Sequence, residues 1–169
     1  MHLNPNIKLV MKLKLKYLIC LTYFMLQVIY LGGQDCFYYH EYFCKFPNST
    51  YFYSGQSRSA LFAFGMTSEF KIVTFGGEDY HISICYERKF KNVRMRLIED
   101  NTDRTVLYDN KDFTYQSTMT FTNNVARKLI IEISVPEDAS GKEGQDLHCV
   151  GVLIHFRKTF QEPQNKIGF

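Results

Sequence analysis

The chain has 169 residues and a formal net charge of +3, with 20 Lys and Arg against 17 Asp and Glu. Its first 33 residues hold four of the basic side chains and no acidic one, which leaves 16 against 17 in the remainder, a net charge of −1. Overall basicity therefore gives no reason to expect nucleic-acid binding, and about 136 residues suffice for one domain with a real core but not for two.

Lys8, Lys12, Lys14 and Lys16 precede an apolar run over 17–31, and Gly32-Gly33 follows it. Charged, apolar and then small residues in that order describe a secretory signal peptide over 1–33. The run is short of the roughly 20 residues that span a bilayer, so cleavage is expected rather than anchoring. The mature chain then starts near Gln34 with no transmembrane span, in the periplasm, at the cell surface or outside the cell. Met11-Lys12-Leu13-Lys14 opens a tighter signal than Met1 does, which makes Met11 an alternative start. Asp35 stands where an acylated cysteine would need a small neighbour, so Cys36 is not expected to carry lipid. Cys20 leaves with the signal. Cys36, Cys44, Cys85 and Cys149 stay, an even set that predicts disulfides, with three possible pairings.

Residues 34–66 form an aromatic lead-in that contains Phe37, Tyr38, Tyr39, Tyr42, Phe43, Phe46, Tyr51, Phe52 and Tyr53. Its spacing suits a short helix capped by Asp35 and ended by Pro47-Asn48, or an irregular segment. From Glu69 onward, within a sandwich domain expected over 67–160, the period changes to two. Tyr80, Ile82, Ile84 and Tyr86 alternate with polar neighbours, and so do Val93, Met95 and Leu97. Leu129, Ile131, Ile133 and Val135 repeat the pattern, as do Val150, Val152, Ile154 and Phe156. Weaker strands are expected over 70–75, 105–108 and 115–121, with turns over 76–79, 99–103, 109–112 and 136–146. Strands at this spacing without long helices predict an all-β, antiparallel, jelly-roll-like β-sandwich, with 161–169 as a tail.

Cys85 and Cys149 each lie opposite the most apolar face of a strand, so a cross-strand disulfide between them is expected if the strands are neighbours. A zinc site made of Cys85, Cys149, His81 and His155 is the sharper alternative, although no short ligand spacing supports it. Cys36 and Cys44, eight residues apart, would stand about 12 Å apart in a continuous helix. Either the helix is broken there and they pair with each other, or they pair elsewhere. Gly55-Gln56-Ser57-Arg58-Ser59 departs from the nucleophile elbow at its last position and lacks the strand and helix an elbow needs. Asp100, Asp103 and Asp109, with Asn110 and Asp112, could offer oxygen to calcium, but they also suit turns. Arg88, Lys89, Lys91, Arg94 and Arg96 suit a solvated strand edge. Tyr38, Tyr39, Tyr42, Tyr51 and Tyr53 are the candidate stacking platforms for a sugar, and Asn48-Ser49-Thr50 fits an N-glycosylation pattern in a eukaryotic host.

Gly55-Gln56-Ser57, Ser59-Ala60-Leu61, Thr67-Ser68-Glu69-Phe70-Lys71, Asp79-Tyr80-His81-Ile82-Ser83-Ile84-Cys85, Leu107-Tyr108-Asp109-Asn110, Cys149-Val150-Gly151-Val152-Leu153-Ile154 and the ending Lys166-Ile167-Gly168-Phe169 together resemble an uncharacterised family of small secreted proteins from Bacteroidetes. The strand order more distantly resembles the pre-peptidase C-terminal β-sandwich. The resemblance implies export and a class of organism, without a reaction. His155 departs from it, standing where the family pattern has an acidic residue.

These observations predict a non-catalytic exported module with no cofactor, acting in protein interaction or envelope structure. Its partner is unknown from sequence: another envelope protein or a glycan. A carbohydrate-binding module is the alternative, and a metal-dependent hydrolase a second.

Overall fold

In the computed structural model, residues 16–18, 21–22, 36–137 and 146–159 are described. Residues 1–35 and 36–169 form separate compact units. In the first unit, 16–18 and 21–22 are helical, and the Thr22 hydroxyl donates to the Leu18 carbonyl. The rest of the expected signal peptide, and the 161–169 tail, lie outside the described residues. No helix among the described residues is long and apolar enough to cross a membrane.

The second unit is a two-layered antiparallel β-sandwich, as the alternation predicted. It opens with a short helix, α1 (Tyr39–Phe43), followed by β1 (Phe52–Tyr53), β2 (Arg58–Phe62), β3 (Thr67–Thr74), β4 (Glu78–Tyr86) and β5 (Arg94–Glu99). Then come β6 (Val106–Asp109), a 3₁₀ turn (Asn110–Phe113), β7 (Thr118–Asn123), β8 (Arg127–Ser134) and β9 (His148–Lys158). One sheet has β7, β4 and β9 as successive neighbours, with β1 and β2 lying one after the other along the free edge of β9. The other has the order β3-β8-β5-β6.

Strand pairing thus starts at Phe52, inside the stretch expected to be lead-in, because a two-residue and a five-residue strand are too short to show a period. Between them the chain bulges away from β9, and Ser57 fills the gap. Its hydroxyl accepts from the Ile154 N–H at 3.0 Å and donates to the Ser54 carbonyl at 2.7 Å. Ser57 is buried in this ladder, which explains the elbow-like sequence without a nucleophile. The expected turn at 76–79 shortens to its two glycines. Gly77, at φ +73°, holds the left-handed conformation that releases the chain into β4.

Ile82, Ile84, Val150, Val152 and Ile154 from one sheet meet Ile72, Met95, Leu97, Leu129, Ile131 and Ile133 from the other, and this is the core. Asn110, fully buried, closes one end: its carbonyl accepts from the Met95 N–H, and its amide donates to the carbonyls of Val93 and Gln116. Of the basic stretch, Arg94 pairs with Asp109 and Arg96 with Glu132.

The strand β9 differs from a surface strand in one respect that matters for function. Its residues from His148 to His155 are buried on both faces. One face meets the core; the other is covered by the aromatic lead-in.

Candidate functional site: the stapled aromatic lead-in

The helix α1 has five residues and no side-chain cap, too little to persist alone in water. Tertiary bonds hold it. Cys36 is joined to Cys149 and Cys44 to Cys85, so a disulfide anchors the lead-in on each side of the helix. The expected Cys85–Cys149 pairing is thereby corrected. The two cysteines do project from the same face of neighbouring strands, but the register sets Cys85 opposite Gly151 and leaves Cys149 two residues along. Such diagonal positions stand about 7–8 Å apart, beyond ordinary disulfide reach, and each cysteine bonds instead to the segment lying above it. Cys36 and Cys44 do not pair with each other. With all four sulfurs in disulfides, the zinc alternative loses its thiolates.

Gly151 lets the helix descend. A Cβ there would stand 2.8 Å from the Cα of His40 and 2.9 Å from its nitrogen. His40 is buried at this contact; its N–H donates to the Ser59 hydroxyl at 2.8 Å, Nδ1 lies 2.6 Å from the same oxygen, and Nε2 lies 3.2 Å from the Tyr53 hydroxyl. Burial pushes the His40 pKa down from its ordinary value, against a smaller opposing pull from Glu41.

With the backbone so fixed, most of the rings point outward. Phe37, Tyr38, Tyr42, Phe43, Phe46 and Phe52 are all more than half exposed, and Tyr42 reaches 78 %. The five tyrosines named as stacking platforms separate. Tyr38 and Tyr53 share a cavity of about 320 Å³ that is also lined by His40, Glu41, Arg58 and Ser59. Arg58 stands over the Phe70 ring, 5.4 Å from its centroid. Tyr39 stacks on Phe43 at 4.5 Å, facing a different hollow beside Cys85 and Glu87. Tyr42 stands clear, and Tyr51 packs inward on His81.

Two of the aspartates named for calcium are engaged elsewhere. Asp100 pairs with Lys71 at 2.9 Å, and Asp109 binds Arg94, which holds its carboxyl below the usual range. Among the described residues, no group of three or more His, Cys, Asp or Glu side chains is arranged to hold a metal. His40, Glu41, Arg58, Ser59 and Gly151 were not legible as site residues. Only Gly151 carried a signal, since a lone glycine within an apolar strand marks the close approach of another backbone.

No family model matches the chain, and no curated protein matches it. Among solved structures it is similar to the crystal structure of Aeromonas hydrophila PliG, a periplasmic lysozyme inhibitor of g-type lysozyme. The identity is 15 % and the TM-score 0.42, with 65 % of this chain and 91 % of that one covered. So slight a likeness says nothing of what this chain binds.

Proposed function

We propose that the chain is an exported, non-catalytic module that binds another protein through its stapled lead-in. The observation that carries this is the pairing of two disulfides with an outward row of large rings on one short segment. Exposed aromatic side chains are costly to leave in water and are enriched where proteins meet. Rings on an anchored backbone bind with little loss of conformational freedom. Two disulfides across separations of 113 and 41 residues favour an oxidising compartment, in line with the signal-like N-terminus.

A photo-crosslinking residue in place of Tyr42, in the oxidised protein in its native envelope, tests this. One or a few proteins should be captured, and Phe43→Ala with Phe46→Ala should abolish capture. Equal capture from a position on β6, across the sandwich, would count against it.

The cavity between Tyr38 and Tyr53 favours a second reading, a glycan site, because it sets two rings beside Glu41, Arg58 and Ser59, groups that can bond hydroxyls. A glycan array showing binding that Tyr38→Ala and Tyr53→Ala remove, with no protein captured, would move the assignment there. An empty array ends it.

A further inference from the structure

Beneath the lead-in, His81 on β4 and His155 on β9 are direct register partners on the outer face of their sheet. They are roofed by residues 45–51 and Tyr53. The Phe46 ring meets His155 at 5.5 Å, Tyr53 meets it at 6.1 Å, and Tyr51 meets His81 at 6.0 Å. His155 is only 5 % exposed, yet its Nδ1 has no hydrogen-bond partner among the described residues. The Nε2 of His81 is likewise buried and unpartnered, while its Nδ1 lies 3.2 Å from the Thr120 hydroxyl. Buried polar atoms are seldom left so in native proteins, and a pair of them on facing side chains calls for a cause.

We propose that residues 45–51 are an acid-released strap, closed while His81 and His155 are both neutral and opened when they take up protons. The groups that face the pair are few. From β7 there is Thr120; from β4, Ser83 and Asp79; from β9, Arg157; from above, Phe46, Tyr51 and Tyr53, the last in contact with His40 and, more distantly, Glu41. Asp79 is committed to Arg157, Thr122 and Thr159, so neither imidazole has a carboxylate of its own. The Arg157 guanidinium already lies over the Tyr51 ring at 4.6 Å. A proton on His81 adds a second cation beneath that ring, and a proton on His155 sets a third beside it. Burial pushes both pKa values below the ordinary histidine value, and His81 lowers that of His155 further.

The least costly relief is to admit water by lifting the strap, whose ends are fixed by a disulfide and a strand pairing and whose middle is held more lightly. Cys44 holds one end through Cys85, and the pairing of Phe52 with Phe156 holds the other. Between them the strap is tied to the sheet by ring contacts, one bond from the Ser83 hydroxyl to the Lys45 carbonyl and one from Arg157 to Thr50. Because Phe46 belongs to the exposed row, release would also remodel the binding face; that consequence rests on the proposed function, whereas the release itself does not.

Hydrogen exchange and imidazole NMR on the oxidised full chain, from about pH 7.5 down to about pH 5, test the strap without any partner. Protection of 45–51 should fall by up to about tenfold per pH unit for each proton taken up, while β3 and β8 in the opposite sheet keep their protection. His81 and His155 should titrate below the ordinary value together with the loss of the Tyr51 and Phe46 ring contacts. His81→Phe with His155→Phe should keep the strap closed at the acid end. If that variant fails to fold, the wild-type titration decides alone: imidazoles that titrate with no change in 45–51, or loss of β3 and β8 in step with the strap, would overturn the proposal. So would equal acid release in the folded double variant.

Discussion

The backbone of His40 rests on Gly151, with 2.8 Å between the His40 Cα and the place where a Cβ would stand. Through this contact a five-residue helix lies flat on the sheet, and from it follow both disulfides and the outward row of rings. Gly151→Ala should therefore cost about 2 kcal/mol, because the added methyl meets backbone, which must move as a unit with the stapled segment. Gly55→Ala, where a Cβ would meet nothing within 4 Å, should stay within about 0.5 kcal/mol of the parent. Urea denaturation of the two variants makes the comparison.

The connectivity Cys36–Cys149 and Cys44–Cys85 is open to direct check. Peptide mapping without reduction should link the fragments in that order, and a Cys85–Cys149 fragment would show the register argument to be wrong. Each bridge closes a long loop, so removing either should cost about 4 kcal/mol, mostly through the greater freedom of the unfolded chain. Replacing Cys44 and Cys85 together with Ala should lower the melting temperature while leaving the core strands protected from exchange.

Stability should fall with acid in two stages. The first comes from His40, His81 and His155: their folded pKa values lie below the unfolded value of 6.5, so the unfolded chain binds more protons and stability declines as pH drops below that point. The second comes from carboxylates. A bond from the Thr122 hydroxyl, with Arg157 and Thr159, holds Asp79 below its ordinary 3.8, and Arg94 does the same for Asp109. Their contribution is complete above that value and is lost as pH falls through the lower folded values. Denaturation free energies across the range should show both stages, and Asp109→Asn should shrink the second, leaving the share of Asp79, without altering the first.

The two-residue alternation in Tyr80-Ile82-Ile84, Leu129-Ile131-Ile133 and Val150-Val152-Ile154 determined by itself that these are strands and which face is core, since a residue's side in a strand depends only on its parity. An even cysteine set and a ring-rich lead-in were also plain. Parity likewise placed Cys85 and Cys149 on one face, but it says nothing of register, and a shift of two residues keeps every face while changing every partner. Only the tertiary structure could therefore decide that Gly151 faces Cys85, that each cysteine reaches up to the lead-in, and that His81 and His155 meet beneath it. The lead-in itself has no period to read. Its conformation is imposed by the sheet on which it lies, so the surface with the best claim to function was the part least legible in the sequence.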